Sequence, residues 1–317
     1  TFNNPEAAIP LLQATLDCYP YSINHWNSLG KCYLSTNDYE EAHEAIDFAL
    51  AIDDSNAEAL TLKAFCYQQS GELQKSCDYY LRLAEQQENK TRAYLALAKT
   101  YFEMQDYTSS IYYIEALLDN KDALSKYELS ELYGDIALCH AALKHIGVGQ
   151  ASIRRSLELN ENDPDTLIVA GRFFLMEAKA CNDETAKAEN QAKGELYFRQ
   201  ALNLIMEDER LDYLFTIGAA CFDTQNFKLA AQYYEQINRE FPDNAPATYF
   251  FLAYCYFYLE EAISCMHYIA KMKHELPDAY SNLGTSDSIL SDTRFNELMR
   301  NLKDSVNNGK VDLDNFL

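Results

Sequence analysis

The sequence predicts an all-α fold made of antiparallel helix pairs that stack on one another. The first observation is a set of apolar and small residues that recurs every 34 residues, a period that accommodates two helices and their turns. The second is the spacing of these residues by three and four positions, as on one face of a helix. The third is a shortage of turn formers, since 317 residues contain 10 Gly and 7 Pro. So few breakers leave little material for the turns of an all-β fold.

Three regular helix pairs are predicted within residues 23–124. In each, a large apolar residue is followed after four positions by a small residue and after three more by a tyrosine. These sets are Trp26, Gly30 and Tyr33, then Leu60, Ala64 and Tyr67, then Tyr94, Ala98 and Tyr101. The small residue lets two helices approach closely, and the bulky residues fill the space beside it. Each pair leaves an apolar face that the next pair can cover, so the pairs are expected to stack.

Four further pairs continue the pattern, two irregular ones in residues 125–208 and two in residues 211–277. Their small-residue positions hold Ala137, Gly171, Gly218 and Ala253. An insertion at residues 176–193 is rich in helix formers and contains no aromatic residue. Two interpretations remain open for it: both flanking helices lengthen, or a mobile loop lies between them.

Both ends of the chain depart from the pattern. Residues 1–22 match only the second half of a pair, with a helix expected from Pro5 to Asp17, so we expect the chain to be part of a longer protein. Residues 278–317 are predicted to be a C-terminal capping segment, with Ser291 or Asp292 as the N-cap of its helix. The apolar stripe of this helix comprises Phe295, Leu298, Met299, Leu302 and Val306.

These recurring residues resemble the tetratricopeptide repeat family, from Pro5 to about Pro277. The resemblance implies a right-handed superhelical α-solenoid of antiparallel helix pairs, with about seven and a half repeats and a C-terminal capping helix. It also implies that the first helix of each repeat lines a concave groove, in which a peptide or helix of a partner protein binds. A carboxylate clamp known in this family is mostly absent here, since Leu62 and Ala96 occupy two of its positions.

The resemblance assigns two groups of residues to this groove. The polar end comprises Asn24, Asn27, Lys31, Glu58, Thr61, Arg92 and Lys99. The apolar end comprises Arg172, Phe215, Phe222, Phe250, Phe251, Tyr254, Phe257 and Tyr258. The helix around Phe251 is hydrophobic on all sides, which is typical of a buried helix. Either the terminal helix folds onto it, or it forms an apolar pocket for a partner helix with Arg172 and Asp223 at its rim.

Charge and motifs exclude several classes of function. A net charge of −23 repels nucleic acid and anionic lipid surfaces, and no apolar stretch is long enough for membrane insertion. Nine cysteines without a CxxC pair indicate reduced core thiols and therefore a cytoplasmic protein. The sequence contains no phosphate-binding loop, nucleophile elbow or HExxH zinc motif. We therefore expect no catalytic residue, no metal and no cofactor.

The prediction for function is a non-enzymatic scaffold that binds a peptide or helix of an unidentified partner protein in the concave groove. An alternative is the regulatory or substrate-recruiting region of a larger enzyme or signalling protein, because the chain begins halfway through a repeat. A third hypothesis is self-association through the truncated N-terminal helix, whose apolar face has no partner in the repeat pattern.

Overall fold

The computed structural model describes residues 4–119, 124–285 and 292–317. Within these ranges the chain forms α-helices and short 3₁₀ segments and contains no β-strand. The all-α prediction is therefore confirmed. Two compact units divide between Ser152 and Ile153, and each is described by itself.

The first unit contains eight described helices. They are α1 (Pro5–Cys18), α2 (Ile23–Ser35), α3 (Tyr39–Ile52), α4 (Ala57–Gln69), α5 (Leu73–Ala84), α6 (Lys90–Glu103), α7 (Tyr107–Leu118) and α8 (Lys126–Ala142). Helix α9 (Ile146–Leu159) contains the division between the units. Helices α2 and α3, α4 and α5, and α6 and α7 pack as pairs, and α1 packs on α2.

The second unit continues with eight more described helices. They are α10 (Pro164–Ala180), α11 (Glu184–Leu202), α12 (Arg210–Asp223), α13 (Phe227–Glu240), α14 (Tyr249–Tyr258), α15 (Ala262–Glu275), α16 (Pro277–Asn282) and α17 (Thr293–Asn307). Helices α10 and α11, α12 and α13, and α14 and α15 form its pairs. A 3₁₀ segment at Pro242–Thr248 precedes α14, and another at Leu313–Phe316 follows α17.

One backbone feature recurs at the turn within a pair. Residues with φ near +60° lie there, where the first helix of the pair ends: Asn37, Gln105, Gln225 and Glu260, with Gly71 at φ 76°. A left-handed residue after the last helical turn ends a helix and reverses the chain. The first three of these turns lie 34 residues apart, at positions 37, 71 and 105, so the sequence period has a counterpart in the backbone.

The small residue of the repeat pattern lies where the two helices of a pair approach each other. A Cβ placed on Gly218 of α12 would lie 2.8 Å from Cε1 of Tyr234 on α13. Tyr234 is fully buried, so its ring occupies the volume that a side chain at position 218 would need. The pattern of small and bulky residues therefore reflects direct contact between paired helices.

The sequence between residues 176 and 193 lies almost entirely in helices. Helices α10 and α11 are 17 and 19 residues long, and only Cys181 to Asp183 separate them. The side chain of Asp183 accepts a hydrogen bond from the backbone N–H of Ala186 and so caps α11. The structure therefore agrees with the interpretation in which both flanking helices lengthen, and not with a loop between them.

Seven of the nine cysteines are buried in the helix interfaces, and all nine are free thiols. Burial raises the pKa of the Cys66 thiol to about 11 and that of Cys255 to about 12. A thiol with such a pKa stays protonated and unreactive at neutral pH. Cys18 is exposed and Cys181 is half-buried.

Candidate functional site

The polar end of the predicted groove contains a hydrogen-bond network between α2 and α4. The amide nitrogen of Asn27 donates to Oδ1 of Asn56 at 3.0 Å and to Oε2 of Glu58 at 2.9 Å. Lys31 forms an ion pair with the same Glu58. The hydrogen bond from Lys31, with a contribution from Asn27, lowers the pKa of the Glu58 carboxyl. The network therefore holds the first helices of two successive pairs side by side.

Asn27 departs from the prediction that it faces a ligand. It is 1% exposed, and its amide nitrogen is used by Asn56 and Glu58. Asn56 in turn caps α4, because its Oδ1 accepts the N–H of Ala59 at 2.9 Å. A buried amide in such a network contributes to helix packing and is not available to a peptide.

The remaining polar residues form a surface on α2, α4 and α6 that we call the polar face. It comprises Asn24, Lys31, Glu58, Thr61, Arg92 and Lys99, which are exposed or half-exposed. The charge of Arg92 also contributes to the lowered pKa of Glu58, which places the two side chains near each other. Lys99 lies two helical turns after Arg92, on the same side of α6. Within the described part of the chain, neither Arg92 nor Lys99 forms an ion pair.

The terminal helix α17 covers part of the apolar end of the predicted groove, at Phe250, Tyr254, Phe257 and Tyr258. Phe295 of α17 is buried, and its ring centroid lies 5.0 Å from that of Tyr254, 5.4 Å from Phe257 and 6.1 Å from Phe250. Phe250 and Tyr254 are consequently buried. Of the two interpretations of this apolar helix, the structure agrees with the one in which the terminal helix folds onto it. Phe250 and Tyr254 therefore do not form a surface open to a partner helix.

The other aromatic residues of this end pack against one another. The ring of Phe222 contacts Phe251 at 5.3 Å and Tyr254 at 5.1 Å. Tyr258 stacks on Phe227 at 4.9 Å, and Phe215 lies 6.5 Å from Tyr234. These half-buried rings are part of the core of the second unit. Arg172 forms an ion pair with Asp223 at 3.7 Å, so the two predicted rim residues do meet.

The contact between α14 and α17 also has a polar component. Asp292 accepts hydrogen bonds from the hydroxyls of Tyr254 and Tyr258, and its Oδ1 accepts the backbone N–H of Phe295. The prediction of Asp292 as N-cap is confirmed, whereas the alternative cap, Ser291, lies outside the described residues. Burial alone would raise the pKa of Asp292, but these hydrogen bonds together lower it.

The structure contains a cleft that the repeat pattern did not predict. It lies between α1, α2 and α3 in the first unit and has a volume of about 500 Å³. Trp26 and Phe48 line it with their rings stacked at 4.5 Å. Phe48 was the available sequence signal for this cleft, because it is a large apolar residue of α3 outside the apolar stripe that packs on α2. In the structure its side chain is 55% exposed.

Two other kinds of site are absent from the described residues. No group of three His, Cys, Asp or Glu side chains in the described ranges could hold a metal ion. Of the helices just described, none combines the length and the apolar character that a membrane crossing requires.

Comparison with known proteins gives a family match over part of the chain. The family model described as Tetratricopeptide repeat matches residues 27–90, which run from α2 to the start of α6. No curated protein matches the chain.

Solved structures with a similar fold include pilF of Pseudomonas aeruginosa, which is 18% identical and has a TM-score of 0.46, with 69% of this chain and 92% of that chain covered. A tetratricopeptide repeat protein from Parabacteroides merdae is 16% identical with a TM-score of 0.48, and the match covers 67% of this chain and 77% of that chain. YrrB, a TPR protein with an unusual peptide-binding site, is 14% identical with a TM-score of 0.42, and the match covers 64% of this chain and 96% of that chain. The family match therefore identifies residues 27–90 as tetratricopeptide repeat sequence, and paired helices also occur outside this range, in both units.

Proposed function

We propose that this protein is a non-enzymatic interaction scaffold that binds an extended peptide of a partner protein on the polar face. The observation that carries the proposal is the network of Asn27, Lys31 and Glu58, which holds α2 and α4 together beneath the exposed groups. Binding groups on rigid, mutually fixed helices lose little conformational entropy when a ligand binds. The free thiols, most of them buried, support the proposal of a cytoplasmic location.

The chemistry of the polar face favours a peptide of mixed charge with at least one acidic residue. Arg92 and Lys99 are exposed cations without an ion-pair partner in the described ranges, and each can pair with a carboxylate. Glu58 is already paired with Lys31, so it repels an acidic peptide less than a free carboxylate would. Asn24 offers an exposed amide, which can both donate to and accept from a peptide backbone.

A peptide-display selection tests this proposal even though the partner is unidentified. Peptides selected on the unmodified protein are measured again on the double variant Arg92→Gln, Lys99→Gln. We expect dissociation constants roughly 2- to 30-fold higher, because two exposed ion pairs are lost and each contributes roughly 0.2–1 kcal/mol. The control is Lys75→Gln, which changes an exposed lysine of α5 that pairs with Glu72. If both variants bind the selected peptides as tightly as the unmodified protein does, the polar face is not the binding surface.

A further inference from the structure

The cleft between α1, α2 and α3 has an apolar floor and aromatic walls. Leu16, Leu29 and Ala45 form the floor and are buried. Trp26 and the exposed Phe48 stack against each other at one wall. Such a surface can pack against the aliphatic part of a long side chain, and its rings can attract a cation through their π-electrons.

Carboxylates surround the opening of this cleft. Asp17 of α1 and Glu41 and Glu44 of α3 line it, and none of the three forms an ion pair with another residue that the structure describes. Lys31 is the only Lys or Arg before Lys63 in the sequence. Both of these lysines are already paired, Lys31 with Glu58 and Lys63 with Asp47. The negative potential at the cleft is therefore not neutralised by nearby basic side chains.

These two properties together select the chemistry of the ligand. An acidic group would be repelled, and a purely apolar group would bring three carboxylates next to apolar surface without a partner, which is unfavourable. A guanidinium group matches both properties, because it stacks on aromatic rings and donates paired hydrogen bonds to carboxylates. We propose that the cleft binds an arginine side chain of a partner peptide.

This cleft is separate from the polar face. On α2, Asn24, Asn27 and Lys31 lie on one side of the helix, whereas Trp26 and Leu29 lie roughly 160° away at about 100° per residue. The second binding surface therefore goes beyond the proposed function in both position and charge, since the polar face favours an acidic residue and the cleft a basic one.

The experiment uses Trp26, which is the single tryptophan of the chain, as a fluorescent probe in the wall of the cleft. The full chain is titrated with the capped peptide Ala-Leu-Arg-Leu-Ala and with the same peptide carrying citrulline, which has nearly the shape of arginine without its charge. We expect a saturable change of emission with the arginine peptide and at least tenfold weaker binding of the citrulline peptide. Equal binding of the two peptides, or no saturable change with either, would overturn the proposal.

Matched variants distinguish binding in the cleft from attraction by the overall negative charge of the protein. Glu41→Gln with Glu44→Gln is expected to weaken binding of the arginine peptide five- to tenfold, whereas Glu40→Gln, an exposed neighbour outside the cleft, should change it less than twofold. All three residues are exposed, so the variants should keep their circular dichroism and melting temperature. An equal loss with Glu40→Gln would show attraction by net charge alone and refute the specific site. The variant Arg92→Gln, Lys99→Gln should bind the arginine peptide normally, which separates this test from that of the polar face.

Discussion

The hydroxyl of Tyr254 donates a 2.6 Å hydrogen bond to Oδ2 of Asp292. The other oxygen of the same carboxylate accepts the backbone N–H of Phe295. One side chain therefore both begins α17 and attaches it to α14. Helix α17 thereby covers Phe250, Tyr254 and Phe257, three of the aromatic residues that the family resemblance assigns to the groove.

Removing this carboxylate should destabilise the second unit. We expect Asp292→Ala to lower the free energy of unfolding by about 1–3 kcal/mol, because it removes an N-cap and leaves two tyrosine hydroxyls without their acceptor. Asp292→Asn should cost less, since asparagine is also a good N-cap. Urea denaturation measures the free energy of unfolding of both variants. The control Glu297→Ala changes an exposed residue of α17 and should cost less than about 0.5 kcal/mol; an equal loss in Asp292→Ala and Glu297→Ala would contradict this role.

The contribution of Asp292 should also depend on pH. Burial opposes its ionisation, but its hydrogen bonds outweigh burial and lower its pKa in the folded protein, so its stabilising effect is complete above the ordinary aspartate pKa of about 3.9. The effect is lost as the pH falls below that value and through the lowered folded pKa. We expect the difference in unfolding free energy between the unmodified protein and Asp292→Asn to be constant from about pH 7 to 5 and to decrease below about pH 4. A difference that stays constant down to about pH 3 would show that the charge of Asp292 does not contribute.

The close approach of α12 and α13 gives a steric prediction. In Gly218→Ala the added methyl group would lie 2.8 Å from Cε1 of the buried Tyr234, so the ring must move within a packed core. We expect a loss of about 1–3 kcal/mol in the free energy of unfolding, as for other overpacked cores. The control is Gly147→Ala in α9, where a Cβ meets no atom within 4 Å. That change should be neutral or stabilising by up to about 1 kcal/mol, and a larger loss at 147 than at 218 would refute the steric explanation.

Lys63 of α4 provides a test of buried charge. Its side chain is 4% exposed, and its ammonium contacts Asp47 at 2.6 Å and the carbonyl oxygen of His43 at 3.3 Å. Asp47→Ala should therefore lower the free energy of unfolding by about 1–3 kcal/mol, because it leaves the ammonium buried without a counter-charge. Lys63→Met, which removes the charge and keeps the volume, should cost less than about 1 kcal/mol. Guanidinium denaturation gives both values, and a greater loss in Lys63→Met would show that the pair itself is strongly favourable.

The helix pairs could be predicted because their determinants are local. The 34-residue period fixes where small residues such as Gly218 meet bulky ones such as Tyr234, and helical geometry makes that contact follow from spacing alone. The cover over Phe250 and Tyr254 was only one of two interpretations, since the spacing of apolar residues does not show whether α17 or a partner helix packs on α14. A helix that is apolar on all sides indicates burial, but it leaves open whether the same chain or a partner supplies the covering residues.

The polar residues of the groove illustrate the same limit. Asn27 occupies a position that faces the groove in the resembled family, but its amide is used by Asn56 and Glu58, 29 and 31 residues away. A sequence position does not reveal whether such a partner lies within reach. The cleft beside Trp26 was missed for the related reason that Phe48 lies outside the repeat pattern, and its rim residues come from two helices that are not neighbours in sequence.

The position of α17 along the chain has a consequence for biosynthesis. Helix α14 ends at Tyr258 and the helix that covers it begins at Thr293. At synthesis rates of about 5–20 residues per second, these ~35 residues take roughly 2–7 s to appear. During that interval the rings of Phe250 and Tyr254 have been made while Phe295 has not, so each nascent chain passes through a period in which an apolar surface is open to chaperones or to other nascent chains.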